Sequence, residues 1–553
     1  MENLVGTYEI RKKLIETIQP KISRGIYQYI NKHKNDIRFF LHYPLIDIEM
    51  GLEKNPAEDI LNDIRRGVVG YLIENTFQHR IKLRMKKDID EKSFQVYQEK
   101  DYDELCTLER DYRTLLEIKD GNSYAKSILK KVNSKRYKLI TSLVEDKYRE
   151  EAFYFYGMDD ELAVKQEEML IEKGIMKFCV KYMLYQENGV KIGKLENEID
   201  DELLQYSRNL VMKDLNKLPP KVRSRIFKSV EELANVLSFL YYLAFVKRMK
   251  RELGLGILNT EQIIDEYLMC YDKNWLINKI CKIYDMHPNK VGDIIEYFVN
   301  NGCSHLLEFP LFSHDHYIIT IPSLIMINDW QFTIVNGHYF KGIEFVNRNK
   351  TISVSTQNKL KRILDGLTNV LYVEEKYYEL LEEKENSDID FAIYDLKRNI
   401  VLVIEAKWKD NHYYNGSEKR YPKIEDTLNK IFNEQIVKHR HYLSKKENIY
   451  QLFNSNNRIV EMRGKPEIFY LAVDKRNQLH LKNKHIITEY MLLAFIQKNI
   501  QNGELNLSAV IDIINSLNTK TNYISLDGTM DIEINDNIIV EVDTADLSLK
   551  YKF

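Results

Sequence analysis

The sequence predicts a multidomain α+β protein, with a helical N-terminal half and an α/β core nearer the C-terminus. Three observations predict it. The chain has 553 residues, which is too long for a single hydrophobic core. Apolar residues recur at helical spacing through residues 1–255, and strand-like runs dominate residues 388–474. We therefore divide the chain into segments 1–255, 256–335, 336–480 and 481–553.

Helical periodicity in segment 1–255 predicts one or two all-helical domains. It is clearest in residues 105–116, 127–148, 160–184 and 230–253. Pro219 and Pro220 interrupt the pattern, so residues 218–220 make the best internal boundary. Because this half carries no catalytic motif, we expect it to serve substrate recognition, regulation, self-association or contact with a partner protein.

Three basic clusters lie in the same half, at residues 79–87, 130–138 and 247–251. Each could line a groove that follows nucleic-acid phosphates, and each could equally be a solvated helix face. The net charge is only −2, which excludes a generally basic nucleic-acid coat. Any binding surface must therefore come from local segregation of charge.

Segment 256–335 predicts two short helices, at 275–284 and 289–300, followed by strands at 309–312 and 317–321. This is the order of a winged helix, which often docks duplex DNA. The second helix carries Lys290, Asp293 and Glu296, a poor set for contacting phosphates. The segment is thus either a nucleic-acid module or an interdomain packing unit. His314 and His316 are interpreted as incidental residues of the turn between the strands.

A hairpin at residues 388–408 carries the most informative pattern. Residues 388–394 and 400–408 are apolar, β-favouring runs, and the polar residues 395–399 form the turn between them. Alternation places Glu405 and Lys407 on one face of the second strand, and Asp388 and Asp390 on one face of the first. Cross-strand pairing then brings a carboxylate close to Glu405, with the Lys407 ammonium beside them.

Phosphodiester hydrolysis is the chemistry that suits this cluster. Two carboxylates at close range repel each other, which favours a bound divalent cation, and hard carboxylate oxygens suit Mg²⁺. The metal neutralises charge on the phosphate and lowers the pKa of water, while a partly desolvated lysine can orient or activate the attacking water.

These residues resemble the PD-(D/E)xK nuclease superfamily, which has the restriction-endonuclease-like fold. The resemblance covers residues 340–480, about a quarter of the chain. It implies that Asp390 and Glu405 are metal ligands and Lys407 is the catalytic lysine, with Mg²⁺, or Mn²⁺ in its place, as cofactor. The pattern's Pro-Asp is Ile389-Asp390 here, which leaves Asp388 as a rival ligand. Many members also carry a glutamate on the helix before the core, where residues 354–367 offer only Asp365.

Two further elements are predicted after the hairpin. Residues 429–443 form an amphipathic helix, and 467–474 a buried strand next in the sheet. Because some members place a glutamine or basic residue of this helix against the active site, the resemblance makes Gln435 a candidate; the alternative is a solvated glutamine. The periodic positions of the helix are Ile431, Phe432, Gln435, His439 and Tyr442.

The remaining features concern the chain as a whole. The pattern predicts apolar helices at residues 485–500 and 507–517 and a hairpin at 529–542. These elements either complete the core or form a dimer contact. The five scattered cysteines predict reduced thiols rather than disulfides or zinc fingers. Neither a membrane span nor a signal peptide is evident, so we expect a cytoplasmic protein.

The sequence thus predicts a Mg²⁺-dependent endonuclease acting on nucleic acid, with DNA as the expected substrate. The resemblance further implies a role of the restriction or phage-defence type. The alternative is a catalytically inactive protein with a nuclease-like fold that binds nucleic acid or supports an assembly. A protein-interaction scaffold is a third hypothesis, distinguished by the absence of salt-dependent affinity for DNA or RNA.

Overall fold

The chain is described here from a computed structural model, and the described part excludes several segments. It covers residues 4–548 apart from 55–58, 79, 87, 121–126, 142–160, 185–193, 217–223, 255–263, 303–305, 307–308, 329, 331–332, 335–347, 381–384, 408–429, 455–463, 475–478, 482–483, 517–527, 535–537 and 545–546. The domain boundary predicted at residues 218–220 lies outside the described residues.

Helices and strands both contribute to a mixed α and β fold. The described helices are α1 (Leu4–Lys32), α2 (Tyr43–Lys54), α3 (Asp59–Gln78), α4 (Glu91–Val96), α5 (Tyr102–Asp120), α6 (Glu161–Leu184), α7 (Asp201–Leu215), α8 (Val230–Gly254), α9 (Lys273–Tyr284), α10 (Pro288–Tyr297), α11 (Pro322–Met326), α12 (Arg348–Leu364), α13 (Ile436–Tyr442), α14 (Lys446–Phe453), α15 (Glu489–Lys498) and α16 (Leu507–Ser516). Three π-helical turns precede α2, α5 and α13, at Arg38–His42, Tyr97–Asp101 and Lys430–Gln435.

The strands form four separate sheets among the described residues. They are β1 (Ser127–Lys131), β2 (Arg136–Thr141), β3 (Met269–Asp272), β4 (Phe312–His314), β5 (Tyr317–Thr320), β6 (Val370–Leu380), β7 (Glu385–Asp395), β8 (Ile400–Lys407), β9 (Glu467–Asp474), β10 (Leu479–Leu481), β11 (Lys484–Thr488), β12 (Ile500–Gln501), β13 (Glu504–Leu505), β14 (Thr529–Glu533) and β15 (Ile539–Asp543). The strand orders are β1-β2-β15-β14, β3-β5-β4, β10-β11-β9-β8-β7-β6 and β12-β13.

Two compact units divide the chain, and neither is continuous in sequence. A β-rich unit comprises residues 1–15, 116–156 and 349–546, and a helix-rich unit comprises 16–115, 157–348 and 547–553. This division differs from the four consecutive segments expected from the sequence, because segment 481–553 lies largely with the strands of 349–480 and the 256–335 segment lies with the helices. Among the described residues, no helix is long and apolar enough to cross a membrane.

The six-stranded sheet of the β-rich unit has a helical layer on each face. Strands β6, β7 and β8 are antiparallel, and β9 runs parallel to β8, so the strand predicted at 467–474 is confirmed next to the hairpin. One face packs against α12, α15 and α16. The other face packs against α13 and α14. The C-terminal helices therefore complete this core.

Apolar alternation fixes which face each residue of β8 occupies. Leu402 and Ile404 pack on the α12 face, whereas Val401 and Val403 pack on the α13 face. A strand directs alternate side chains to opposite faces. Glu405 therefore belongs to the α13 face, in line with the alternation predicted from sequence.

Strands β6 and β7 each change facing at one point. On β7, Ile389 packs on the α13 face while Phe391, two residues on, packs on the α12 face. On β6, Val373 and Tyr378 both pack on the α13 face, although they are five positions apart and regular alternation would place them on opposite faces. Between these positions Glu375 and Asp390 lie opposite each other without forming a ladder pair, and Glu375 has φ of 43°. A local irregularity thus spans both strands beside Asp390.

The turn between β7 and β8 is closed by a buried carboxylate. Asp395 is 0% exposed, and its Oδ1 accepts hydrogen bonds from the Lys397 N–H at 3.0 Å and from Asn369 Nδ2 at 3.0 Å. Its Oδ2 accepts from the Arg398 guanidinium at 3.0 Å. Asn399 completes the reversal with φ of 57°, a value that asparagine tolerates. Asp395 therefore ties the hairpin to the rest of the sheet.

The helix-rich unit contains the two helices and the strand pair expected in segment 256–335, but the first strand lies at 312–314 and not at the predicted 309–312. Helices α9 and α10 are followed by the β4–β5 hairpin, whose turn contains Asp315 at φ of 50°. Strand β4 begins at Phe312, after Pro310, since proline has no N–H to donate to a strand ladder. Strand β3, which the sequence analysis did not predict, pairs with β5 on its other side.

Two helix predictions were wrong in part. Residues 127–141 form the antiparallel pair β1–β2 rather than a helix, because Asn133 and its neighbours form a turn and β15 pairs with β2 from far along the chain. Residues 485–488 belong to β11, so the helix predicted from 485 begins at Glu489. The helices predicted at 105–116, 160–184 and 230–253 are confirmed by α5, α6 and α8.

We expect Asp395→Ala to lower the free energy of unfolding of the hairpin by about 3 kcal/mol, because several buried donors lose their acceptor together. Hydrogen exchange of β7 and β8 peptides, read by mass spectrometry, measures this quantity. The control is Asp512→Ala on the exposed side of α16, which should change it by less than about 0.5 kcal/mol. Equal protection in both variants would contradict the role assigned to Asp395.

Candidate active site on the six-stranded sheet

Asp390 and Glu405 come together where the β7–β8 pairing ends. The register runs from Asp395 opposite Ile400 to Phe391 opposite Ile404, so Asp390 and Glu405 would form the next pair. Instead, Asp390 Oδ2 accepts a hydrogen bond from the Ala406 N–H at 2.8 Å. The Asp390 carboxylate is thereby held beside the peptide that follows Glu405.

Glu405 is buried in a chain of three polar side chains. It is 1% exposed, and its Oε1 lies 2.5 Å from Nε2 of His439 on α13. His439 is 0% exposed, and its Nδ1 lies 2.7 Å from the Tyr378 hydroxyl on β6. A buried carboxylate needs hydrogen-bond donors to remain ionised without a large free-energy penalty. His439 supplies one from the helix that covers this face.

The direction of the hydrogen bonds follows from what each group can do. An ionised carboxylate only accepts, so His439 donates through Nε2 to Glu405. Burial raises the pKa of the Tyr378 hydroxyl, and the negative charges of Glu405 and Asp388 raise it further, against a hydrogen bond with Ser387 that lowers it. Tyr378 therefore keeps its proton and can donate it to Nδ1 of His439.

Sequence reasoning treated His439 as one periodic position of a helix and did not include Tyr378. The helix predicted at 429–443 is confirmed as the π-helical turn followed by α13. His439 lies three residues from both Ile436 and Tyr442, which are also buried. The signal in the sequence was a histidine among apolar residues at helical spacing. The sequence does not show that Glu405 is its partner, because that contact depends on how the helix packs on the sheet.

The remaining candidates occupy different places. Lys407 ends β8, where its backbone pairs with Asp474, and its side chain lies outside the described residues. Asp388 is half-buried opposite Tyr377 of β6, two residues before Asp390. Gln435 is half-buried at the end of the π-helical turn, one helical turn before His439.

Helix α12 reaches the site through an amide rather than a carboxylate. Gln357 is 2% exposed, and its Nε2 donates to the main-chain oxygen of Asp390 at 3.1 Å. Asp365, the acidic residue offered by the sequence there, instead accepts a hydrogen bond from Tyr372 at 2.5 Å. Tyr372 pairs with Ile393, away from the end of the β7–β8 ladder.

Hard oxygen donors make this site suitable for Mg²⁺. Within the part of the chain that the structure describes, no three His, Cys, Asp or Glu side chains form a metal-binding group. Mg²⁺ is commonly held by one or two carboxylates, with water and substrate phosphate completing its octahedron. Asp390 and Glu405 fit that pattern.

Carboxylates engage the whole α8 cluster of basic residues singled out in the sequence and some residues of the other two clusters. On α8, four consecutive basic positions form ion pairs: Lys247 with Glu266, Arg248 with Glu172, Lys250 with Glu196, and Arg251 with Glu49. In the β-rich unit, Arg136 pairs with Asp531 and Lys138 with Glu541. Lys86, in the first cluster, pairs with Asp36. These contacts favour a structural role for the α8 cluster and for Lys86, Arg136 and Lys138 of the other two.

The four cysteines that the structure describes take no part in the site. Cys106, Cys179, Cys270 and Cys281 are free thiols, and Cys303 lies outside the described residues. Burial raises the pKa of the Cys106 and Cys179 thiols to about 11. These two thiols therefore stay protonated at neutral pH and are poor nucleophiles.

Comparison of the chain with protein-family models, with curated proteins and with solved structures found no match.

We expect His439→Ala to destabilise the α13–β8 contact by about 2 kcal/mol, because Glu405 loses a buried charged hydrogen bond. Tyr378→Phe should cost about 1 kcal/mol, since it removes one neutral donor. Hydrogen exchange of α13 and β8 peptides reports both values. His441→Ala, two residues along the same helix and partly exposed, is the control; a loss as large as that of His439→Ala would show that the effect belongs to the helix and not to the Glu405 contact.

Proposed function

We propose that the chain is a metal-dependent nuclease of the PD-(D/E)xK type that hydrolyses phosphodiester bonds of DNA. The observation that carries the proposal is the position of Asp390, whose carboxylate is bonded to the Ala406 N–H beside buried Glu405. The mixed sheet of β6, β7, β8 and β9, with helical layers on both faces, supports the restriction-endonuclease-like core.

In this proposal the chain's own residues hold and orient the reactants. Asp390 and Glu405 would bind Mg²⁺, which when present supplies charge neutralisation at the scissile phosphate and a more acidic water. The Ala406 N–H keeps one Asp390 oxygen in place, and His439 keeps Glu405 in one orientation. Lys407, two positions after Glu405 on β8, would orient the attacking water or take its proton.

The runner-up is an inactive nuclease-like domain that binds nucleic acid or supports an assembly. Gln357 favours it, because an amide lies where a helix could have offered a third carboxylate. Module α9–α10 with sheet β3-β5-β4 has the order of a winged helix. Its second helix exposes Asp293 and Glu296, while Lys290 donates to the Ile226 carbonyl at 2.9 Å. We infer that this module serves packing rather than DNA docking.

We expect Asp390→Asn, Glu405→Gln and Lys407→Ala each to lower DNA cleavage with Mg²⁺ or Mn²⁺ by at least about 100-fold, because each removes a charge at the reacting centre. The measurement is cleavage of duplex DNA, single-stranded DNA and RNA by the full chain. Asp388→Asn is the matched control on the same strand and should retain activity within about threefold, whereas loss of activity there would make Asp388 the ligand.

We expect Asp390→Asn to weaken binding of Mn²⁺ by about tenfold or more, measured by calorimetry on the full chain without substrate. This readout separates the two candidate functions. Metal binding by the wild type that is lost in Asp390→Asn supports the nuclease. Equal weak binding by both proteins, together with an absence of cleavage in the wild type, would favour the inactive domain.

A further inference from the structure

A polar cleft opens along the free edge of the six-stranded sheet. Its volume is about 1020 Å³, and it lies between edge strand β6, residues 376–380, and helices α13 and α14. Tyr378 and Tyr442 line it as a stacked pair, with ring centroids 4.1 Å apart and planes at 17°. The cleft belongs wholly to the β-rich unit.

The cleft adjoins the candidate active site through Tyr378. This side chain lines the cleft, and its hydroxyl contacts His439, which in turn contacts Glu405. One imidazole ring therefore separates the aromatic wall of the cleft from the buried carboxylate. A polymer lying in the cleft would pass close to the place where we propose that a phosphodiester is cut.

Charge in and around the cleft favours an anion. Lys376, Lys445 and His441 line it, against the single carboxylate of Glu379. The adjoining segment, residues 436–445, contains Lys438, Arg440, His441 and Lys445 outside the core and no acidic residue. Helix α13 and the residues that follow it thus present a basic strip next to the sheet, of the kind that follows a phosphate backbone.

The cleft also offers groups that recognise bases. Tyr377 borders it from the edge strand, on the face of the sheet opposite to Tyr378, and is 74% exposed, an unusual position for a large aromatic side chain. Exposed aromatic rings stack on unpaired bases of any sequence. The amides of Asn386 and Gln451 can each donate and accept hydrogen bonds at base edges.

Size points to a single strand. Pockets for small ligands measure about 300–1,000 Å³, so this cleft has room for one or two nucleotides. Stacking on Tyr377 requires a base whose face is open, and the bases of a continuous duplex are covered by their neighbours.

We propose that the cleft between β6 and α13–α14 binds an unpaired segment of the nucleic-acid substrate. Lys445 and Lys376 contact its phosphates, and Tyr377 stacks on a base where the segment passes round the edge strand. The inference rests on the proposed function for the class of substrate, and it adds that the enzyme requires an unpaired stretch beside the bond that it cuts.

The test is fluorescence anisotropy of the full chain with a short labelled DNA strand, its RNA equivalent and the matching DNA duplex, all in a metal chelator. We expect Tyr377→Ala and Lys445→Glu each to weaken binding of the unpaired strand by about tenfold or more. Tyr377→Phe keeps the ring, and Lys446→Glu makes the same charge change one residue outside the cleft. Both controls should stay within about threefold of wild type.

Unchanged strand binding in Tyr377→Ala and Lys445→Glu would overturn the inference. It would also be overturned if the duplex bound more tightly than the unpaired strand and both variants weakened duplex binding equally. The DNA and RNA arms distinguish the two sources of an unpaired strand, and a loss confined to either one supports the cleft. Because the chelator prevents cleavage, the two proposals fail separately. Strand binding through the cleft without any cleavage in Mg²⁺ would support the cleft as a binding site and contradict the nuclease proposal. Cleavage by the wild type, together with normal strand binding by the cleft variants, would support the nuclease proposal and contradict the cleft.

Discussion

The candidate site depends on the interruption of strand pairing at Asp390. If β7 continued its regular alternation, Ile389 and Phe391 would face the same helical layer, yet each packs into a different core. Because of this change of face, β6 and β7 present apolar side chains to both helical layers, and the Asp390 carboxylate turns toward the backbone of β8. Asp390 then accepts from the Ala406 N–H, a donor that regular pairing would direct elsewhere. Had the pairing continued, Asp390 would lie directly opposite Glu405 and its carboxylate would not be held by the Ala406 N–H.

Burying the Glu405 carboxylate costs hydration free energy, and contacts with the surrounding helices must offset that cost. A carboxylate that is 1% exposed loses most of its hydration, and the His439 hydrogen bond offsets part of that loss. His439 is oriented by Tyr378, which is stacked on Tyr442, so the packing of α13 against β6 determines the direction of the Glu405 carboxylate. The helix and the site are therefore energetically coupled, and a change in either shifts the other.

Local patterns predicted much of the sheet, and long-range contacts account for the rest. The hairpin, its polar turn and strand β9 followed from apolar runs and turn residues, because those signals are contained in a few neighbouring positions. The His439–Glu405 contact joins residues 34 apart, and no local pattern specifies it. The facing change at Glu375 also escaped prediction, since its left-handed backbone is unusual for glutamate. The sequence of β1 and β2 was interpreted as a helix, because the alternation in each strand is short and their partner strand β15 lies far away in sequence.

The two larger sheets of the β-rich unit differ in how far apart their strands lie in sequence. Every strand of the six-stranded sheet falls within residues 370–488, whereas Lys138 on β2 meets Glu541 on β15 across 403 residues. At a synthesis rate of about 5–20 residues per second, β2 would wait roughly 20–80 s on the ribosome for its partner. The six-stranded sheet can thus assemble while the β1–β2 pair still exposes an edge. A nascent chain would hold Asp390 and Glu405 in paired strands before this unit is closed, and chaperones would have that interval in which to act.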